Sequence, residues 1–330
     1  MIRLLVPLDG SPIAEKAMLH AATFASYFEA ELHLLRVVEQ SSHDSDIPFD
    51  NLDWEMRCSQ CECYLQNLQR TLKEQGIESS IHTVEGDPAA EILEFSRQHD
   101  IDLIMLSTHG AGGSKQFPKG STVQKVVGNT DTSVLLVHPD TTPNHDQARY
   151  RRILVILDGS RRSDWALQLA AIIARATGAE MSLLQIVAPP AASPEVCASI
   201  EGKKLIGRLA QLNWLDAVTH LEELKSRLPS DLRVKTHVVA GSEIPLLVQQ
   251  MTQADNADLM VLSADGMSAG SDWLHGSLAE SILAQGSLPL LVFQELRGRD
   301  LSFKPRSTLP AASFEKEDGW RPLDRRARAS

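Results

Sequence analysis

The chain predicts an α/β fold, two tandem doubly wound modules that each wrap helices around both faces of a five-stranded parallel sheet. Three observations predict it. Short apolar runs of strand length alternate with segments of helical period, which calls for βαβ crossovers. The stretch LIMLSTHGAGGSKQFPKGSTVQKVV at 103–127 recurs at 259–283 as LMVLSADGMSAGSDWLHGSLAESIL, so that Gly110 answers to Gly266, Gly120 to Gly276 and Ser121 to Ser277, each 156 positions later. Asp9-Gly10-Ser11 likewise returns 149 positions later as Asp158-Gly159-Ser160.

The first strand is expected over 2–8. Asp9-Gly10-Ser11-Pro12 then turns into a helix with Ser11 as N-cap and Pro12 at the first helical position. That helix has Ala14, Ala17, Met18, Ala21, Ala25 and Phe28 inward. A second strand over 31–38 leads through an acidic loop to a helix over 54–72. A third strand near 77–84 precedes Gly86-Asp87-Pro88, where the same cap chemistry starts another helix. Strand four spans 101–106, a helix runs to about 127, and strand five at 133–137 closes the module.

A polar, proline-bearing linker covers 141–150, between a first domain at 1–140 and a second at 151–296. The second repeats the order: strand 151–157, a helix capped after Asp158, a second strand ending at Val187, and a helix with Leu205, Leu209, Leu212, Leu221, Leu224 and Leu228 on its apolar side. A strand at 232–239, a helix beginning at Gly241-Ser242 and strands at 258–262 and 288–293 complete it. The offsets of 149 and 156 give this module seven net extra residues, assigned to the 188–201 loop and the helix that follows. The tail at 297–330 is basic and poor in apolar residues, and reads as disordered.

A net charge of −11 argues against broad phosphate footprints, so neither nucleic acid nor an anionic membrane surface is expected as a partner. The chain contains no run of 18 apolar residues and enters its first strand without the zones of a signal peptide, which predicts a cytoplasmic protein. Cys58, Cys61 and Cys63 have metal-like spacing. Trp54, Cys58, Cys61, Leu65, Leu68 and Leu72, however, step by fours and threes along one helical face, which makes the first two cysteines core residues and leaves no metal site.

The repeated loop carries the chemistry. A buried strand ends in Ser and Gly, and nine residues later Gly-Ser opens a helix whose first N–H groups lack intrahelical partners and face the positive end of the dipole. Glycine lets a phosphate approach the backbone, so the donors are the N–H groups around Gly120–Val123, Thr122 among them, and the Ser121 hydroxyl. Copy two offers Gly276, Ser277 and Leu278. The nine intervening residues differ widely between copies, so the spacing matters more than the sequence between.

These residues resemble the universal stress protein family, whose nucleotide-binding members have G-x2-G-x9-G-[ST] at this place. Both copies match G-x9-G-S, with Ser107 and Ser263 in the first glycine position. The resemblance implies strand order 3-2-1-4-5, with strands one and four sharing a crevice at their carboxyl ends. It also implies an internal pseudo-dimer, made by pairing of the last strands, at 133–137 and 288–293. It implies ATP, ADP or AMP as ligand, with or without Mg²⁺, bound by Asp9 and Asp158 at the nucleoside, by Val38 and Val187 beside the base, and by Gly110 and Gly266 under the phosphates. The implied role is a stress-response regulator or signalling protein with little or no hydrolysis, open to homodimerisation and to a regulatory protein partner.

His109, Lys115 and Lys119 surround the first loop, against Asp265, Asp272 and His275 in the second, so the N-terminal site is expected to hold ATP more tightly. His109 reads as a charged neighbour of the phosphates. It is not read as a catalyst, because copy two has Asp265 there and neither module has a Walker-type Gly-Lys-Ser/Thr. Two alternatives keep the fold: a binding protein in which Ser107 and Ser263 mark a lost nucleotide site, and an adenylating enzyme of the related α-hydrolase class.

Overall fold

The apolar runs form parallel strands buried on both faces, as a sheet covered by helices requires. In the computed structural model of the chain, the described residues are 1–39, 51–109, 121–138, 150–193, 196, 198–263 and 288–294. The side chains at 51–55, 121, 161 and 162 lie outside that description. Residues 1–149 and 150–295 form two compact units.

The first unit runs Ile2–Pro7 (β1), Lys16–Tyr27 (α1), Ala30–Val38 (β2), Asn51–Glu74 (α2), Ser79–Glu85 (β3), Pro88–Gln98 (α3), Leu103–Ser107 (β4), Ser121–Asn129 (α4) and Ser133–Val137 (β5). Its strands lie in the order β3-β2-β1-β4-β5, all parallel. Right-handed crossovers put α1 and α2 on one face and α3 and α4 on the other. The whole expected inner face of α1 is buried, as are Leu65, Leu68 and Leu72 of α2.

The second unit contains Arg152–Leu157 (β6), Arg161–Thr177 (α5), Glu180–Val187 (β7), Ile200–Arg227 (α6), Val234–Ala240 (β8), Ile244–Ala254 (α7), Leu259–Ser263 (β9) and Leu290–Phe293 (β10). Its order is β8-β7-β6-β9-β10, again parallel. Each unit ties the start of its first strand to the turn before its fourth. Asp102 accepts the Arg3 N–H at 2.8 Å, and Asp258 accepts those of Arg151 and Arg152 at 2.7 and 3.0 Å.

Three local expectations are corrected. Ser11 Oγ does accept the Ala14 N–H at 3.1 Å, but regular α1 begins only at Lys16. The turn between is held by i→i+3 bonds from Lys16 to Ile13 and from Ala17 to Ala14, the tighter winding common at helix ends. The counterpart Ser160 caps α5 directly, with the Ser163 N–H at 3.2 Å. Asp87 caps α3 as expected, accepting from Ala90 at 3.0 Å, whereas α7 starts at Ile244, behind Glu243, with no side-chain cap.

The third correction concerns α6. Leu221, Leu224 and Leu228 are buried, while Leu205, Leu209 and Leu212 are 56%, 41% and 48% exposed. Leu212 and Leu221 are nine residues apart, two and a half turns at 3.6 residues per turn, so they point to opposite sides of one helix. The offset between units locates the extra residues. It is 149 at Val38/Val187 and already 156 along the buried leucines 65/221, 68/224 and 72/228, so all seven enter between β7 and Leu221.

Candidate functional site

The switch in strand order lies between β1 and β4, where loops from neighbouring strands diverge and doubly wound folds bind ligands. Leu5 pairs with Ile104, and four residues further along each strand stand Asp9 and Thr108. Asp9 is half-buried, and its Oδ1 accepts the Ser11 N–H at 2.8 Å across Gly10, whose φ of 76° places it in the left-handed region that favours glycine. Asp158 does the same with Ser160 at 2.9 Å, over Gly159 at φ 82°. One oxygen of each carboxylate thus shapes the turn, as an Asp-Gly pair does.

Val38 ends β2 and is buried, and Val187 ends β7 half-buried. Ser107 closes β4 at 8% exposure, and its Oγ is buried without a hydrogen-bond partner among the described residues. Ser263 closes β9, also buried. Ser121 opens α4, and Thr122 is half-buried in its first turn. Because α4 follows a strand that runs towards this end of the sheet, its N-terminus faces the same edge as Asp9 and Ser107. Gly110, Gly120, Gly266, Gly276, Ser277 and Leu278 fall outside the described residues, as do Lys115, Lys119, Asp265, Asp272 and His275.

His109 stands just past β4. Its Nδ1 is 3.0 Å from Thr108 Oγ1, and Thr108 is fully buried with its N–H given to Val137 at 2.9 Å. His138, one residue past β5, meets His109 edge to face at 5.5 Å. Sequence reading missed Thr108 and His138. The available signal was that both follow strand ends that parallel pairing sets side by side.

A second missed group lies beneath the Asp-Gly turns. Arg36 donates to the Leu8 carbonyl at 3.1 Å and lies 3.7–3.8 Å from where a Cβ on Gly10 would stand. Tyr64 donates to Glu15 Oε1 at 3.0 Å. Burial, then the neighbouring Glu15 carboxylate, pushes the Tyr64 phenol well above its usual range. The second unit has Gln185 149 positions after Arg36 and Asp164 149 after Glu15. There Gln185 Oε1 is 3.1 Å from His220 Nδ1, and His220 Nε2 is 3.6 Å from Asp164. The offset of 149 shared by Arg36/Gln185 and Glu15/Asp164 was the signal. Among the described residues no group of three His, Cys, Asp or Glu is arranged to hold a metal ion, and no helix is long and apolar enough to cross a membrane.

Two parallel α/β units, each with an Asp-Gly turn at the switch point, define a tandem doubly wound protein. The universal stress protein family model matches residues 1–138 and 149–294, and the chain belongs to that family. A universal stress protein of Methanocaldococcus jannaschii is 30% identical over 143 residues, 41% of this chain and 81% of the relative. One of Bacillus subtilis, YxiE, is 28% identical over 145 residues, 41% and 97% of the two chains. The crystal structure of a universal stress protein from Archaeoglobus fulgidus superposes with a TM-score of 0.66 at 19% identity, covering 88% of this chain and 95% of that one. This likeness concerns the fold.

Proposed function

We propose that this tandem universal stress protein binds an adenine nucleotide at the β1/β4 crevice of its first module, and more weakly at the β6/β9 crevice of its second. Occupancy then serves as the regulatory state of a stress-response protein in the cytoplasm. The observation that carries the reading is Ser107. Its buried hydroxyl has no partner among the described residues, beside the Asp9 turn and on the edge that the α4 N-terminus faces, and a buried unpaired hydroxyl costs free energy that a bound polar ligand would recover. Asp9 supplies a carboxylate for ribose or base, Val38 an apolar neighbour for the base, and Gly110, Gly120, Ser121 and Thr122 a backbone cradle for phosphates or Mg-phosphate. His109, steadied by Thr108, adds a donor that the second module replaces with Asp265. A homodimer and a regulatory protein partner belong to the same proposal.

The test is to heat-denature freshly purified protein, chromatograph the released nucleotide, and repeat with Gly120→Val and Gly276→Val. Nucleotide retention falling on the order of tenfold or more in Gly120→Val, and less in Gly276→Val, is the expected result. Absence of nucleotide from the parent, with no binding of millimolar Mg-ATP, leaves the second reading, a partner-binding protein in which Ser107 and Ser263 stand where nucleotide-binding relatives have glycine.

A further inference from the structure

The N-terminal two-thirds of α6 bears an apolar stripe that none of the described residues buries. Leu205, Leu209, Leu212 and Leu215 are 56%, 41%, 48% and 46% exposed. At 100° per residue they cover one side of the helix, opposite the side that Leu221 and Leu224 press onto the sheet. They lie outside the buried core of the module. The matched leucines of α2 and α6 put Asp53, Met56 and Ser59 of the first module at the positions of Leu209, Leu212 and Leu215, so the sister helix keeps one exposed apolar side chain there, Met56 at 54%, and polar residues on either side of it. In that register the leucines at 209 and 215 are substitutions of the second module rather than part of its seven extra residues.

Arg208 and Asp216 flank it, four residues on either side of Leu212, and neither has an ion-pair partner among the described residues. We propose that this stripe is a homodimer surface on which α6 pairs antiparallel with α6 of a second copy, with Leu212 on the two-fold axis. That register sets Leu209 level with Leu215 and Arg208 of each copy level with Asp216 of the other. Parallel pairing would stack Arg208 on Arg208 and Asp216 on Asp216, which like-charge repulsion disfavours. Four half-exposed leucines are a smaller patch than the roughly 800 Å² per partner of a standard interface, so the dimer is expected to be weak and concentration-dependent. The inference is independent of nucleotide.

Sedimentation of the full chain over a concentration series from about 1 to 200 µM tests it. The weight-average mass of the parent is expected to rise with concentration towards twice its low-concentration value. Leu209→Gln with Leu212→Gln should hold it at the low-concentration value with an unchanged circular dichroism spectrum. Arg208→Glu should shift the midpoint upward about tenfold, and adding Asp216→Arg to it should restore the parental midpoint. A parental mass that stays constant overturns the proposal; if deleting 297–330 then starts association, the tail is the occupant, and if not, another protein is. A rise that persists in the leucine variant, or charge reversal without rescue, also overturns it.

Discussion

Among the described residues His20 gives the clearest pH dependence. It sits on α1 at 4% exposure, and burial alone lowers its imidazole from 6.5 to about 4. The folded value lies below the unfolded one, so as pH falls the unfolded chain takes the proton first. Stability is intact above about 6.5 and declines between there and 4. At pH 5 an unfolded group near 6.5 and a folded group near 4 differ by about 2 kcal/mol in proton-binding free energy, against about 0.2 kcal/mol at pH 7. The second unit shows what can replace it: 149 positions on stands Leu169, 1% exposed. Urea unfolding of the full chain at pH 7 and 5, read by amide exchange in β1 and β2, should show the parent losing about 2 kcal/mol more than His20→Leu. His33 and His82 also lie low, mainly through burial, which the Glu31 carboxylate opposes and the His99 imidazole reinforces at both, and contribute equally to both proteins, so only the difference is diagnostic. Parallel pH profiles for parent and variant would refute the assignment to His20.

Three further outcomes follow from the geometry. Leu221→Ala should cost about 2–5 kcal/mol as a buried deletion, whereas Leu212→Ala should stay within about 0.5 kcal/mol at low protein concentration, both read by denaturant melts. Asp258→Ala removes the acceptor for two N–H groups and Asp102→Ala for one, so the first should lower second-unit stability by about 1 kcal/mol more than the second lowers the first unit's. Asp9→Ala should weaken nucleotide binding to the first crevice about tenfold and Asp158→Ala should have the smaller effect, both measured by titration calorimetry with Mg-ATP; equal effects would refute the ranking of the two sites.

The architecture was legible because its signals are local. Asp87-Pro88 caps α3 by chemistry contained in four residues, and the run 133–137 is a strand wherever it is buried. Glycine at 10 and 159 announced turns that only a left-handed residue makes comfortably. The site was legible in part. Asp9 and Ser107 could be named from the repeat, but that a Ser107 hydroxyl would be left without a partner depends on what β1 and β5 bring beside it. Arg36 beneath Gly10 was missed because its position in β2 reads as an interruption of an apolar run, not as a neighbour of a turn 26 residues earlier.

Sequence alone determined the α/β class, the duplication and the place of the two loops, since periodicity, capping and turn preferences act over a few residues and need no partner. Tertiary structure decided which side of a helix counts as inside. Leucines 205 to 228 look like one apolar set by composition, yet only Leu221, Leu224 and Leu228 are buried, where α6 lies over β7 and β8. The same step decided that His20, Glu15 and Ser107 would be buried, because burial depends on which strands and helices close over a residue and not on the residue itself.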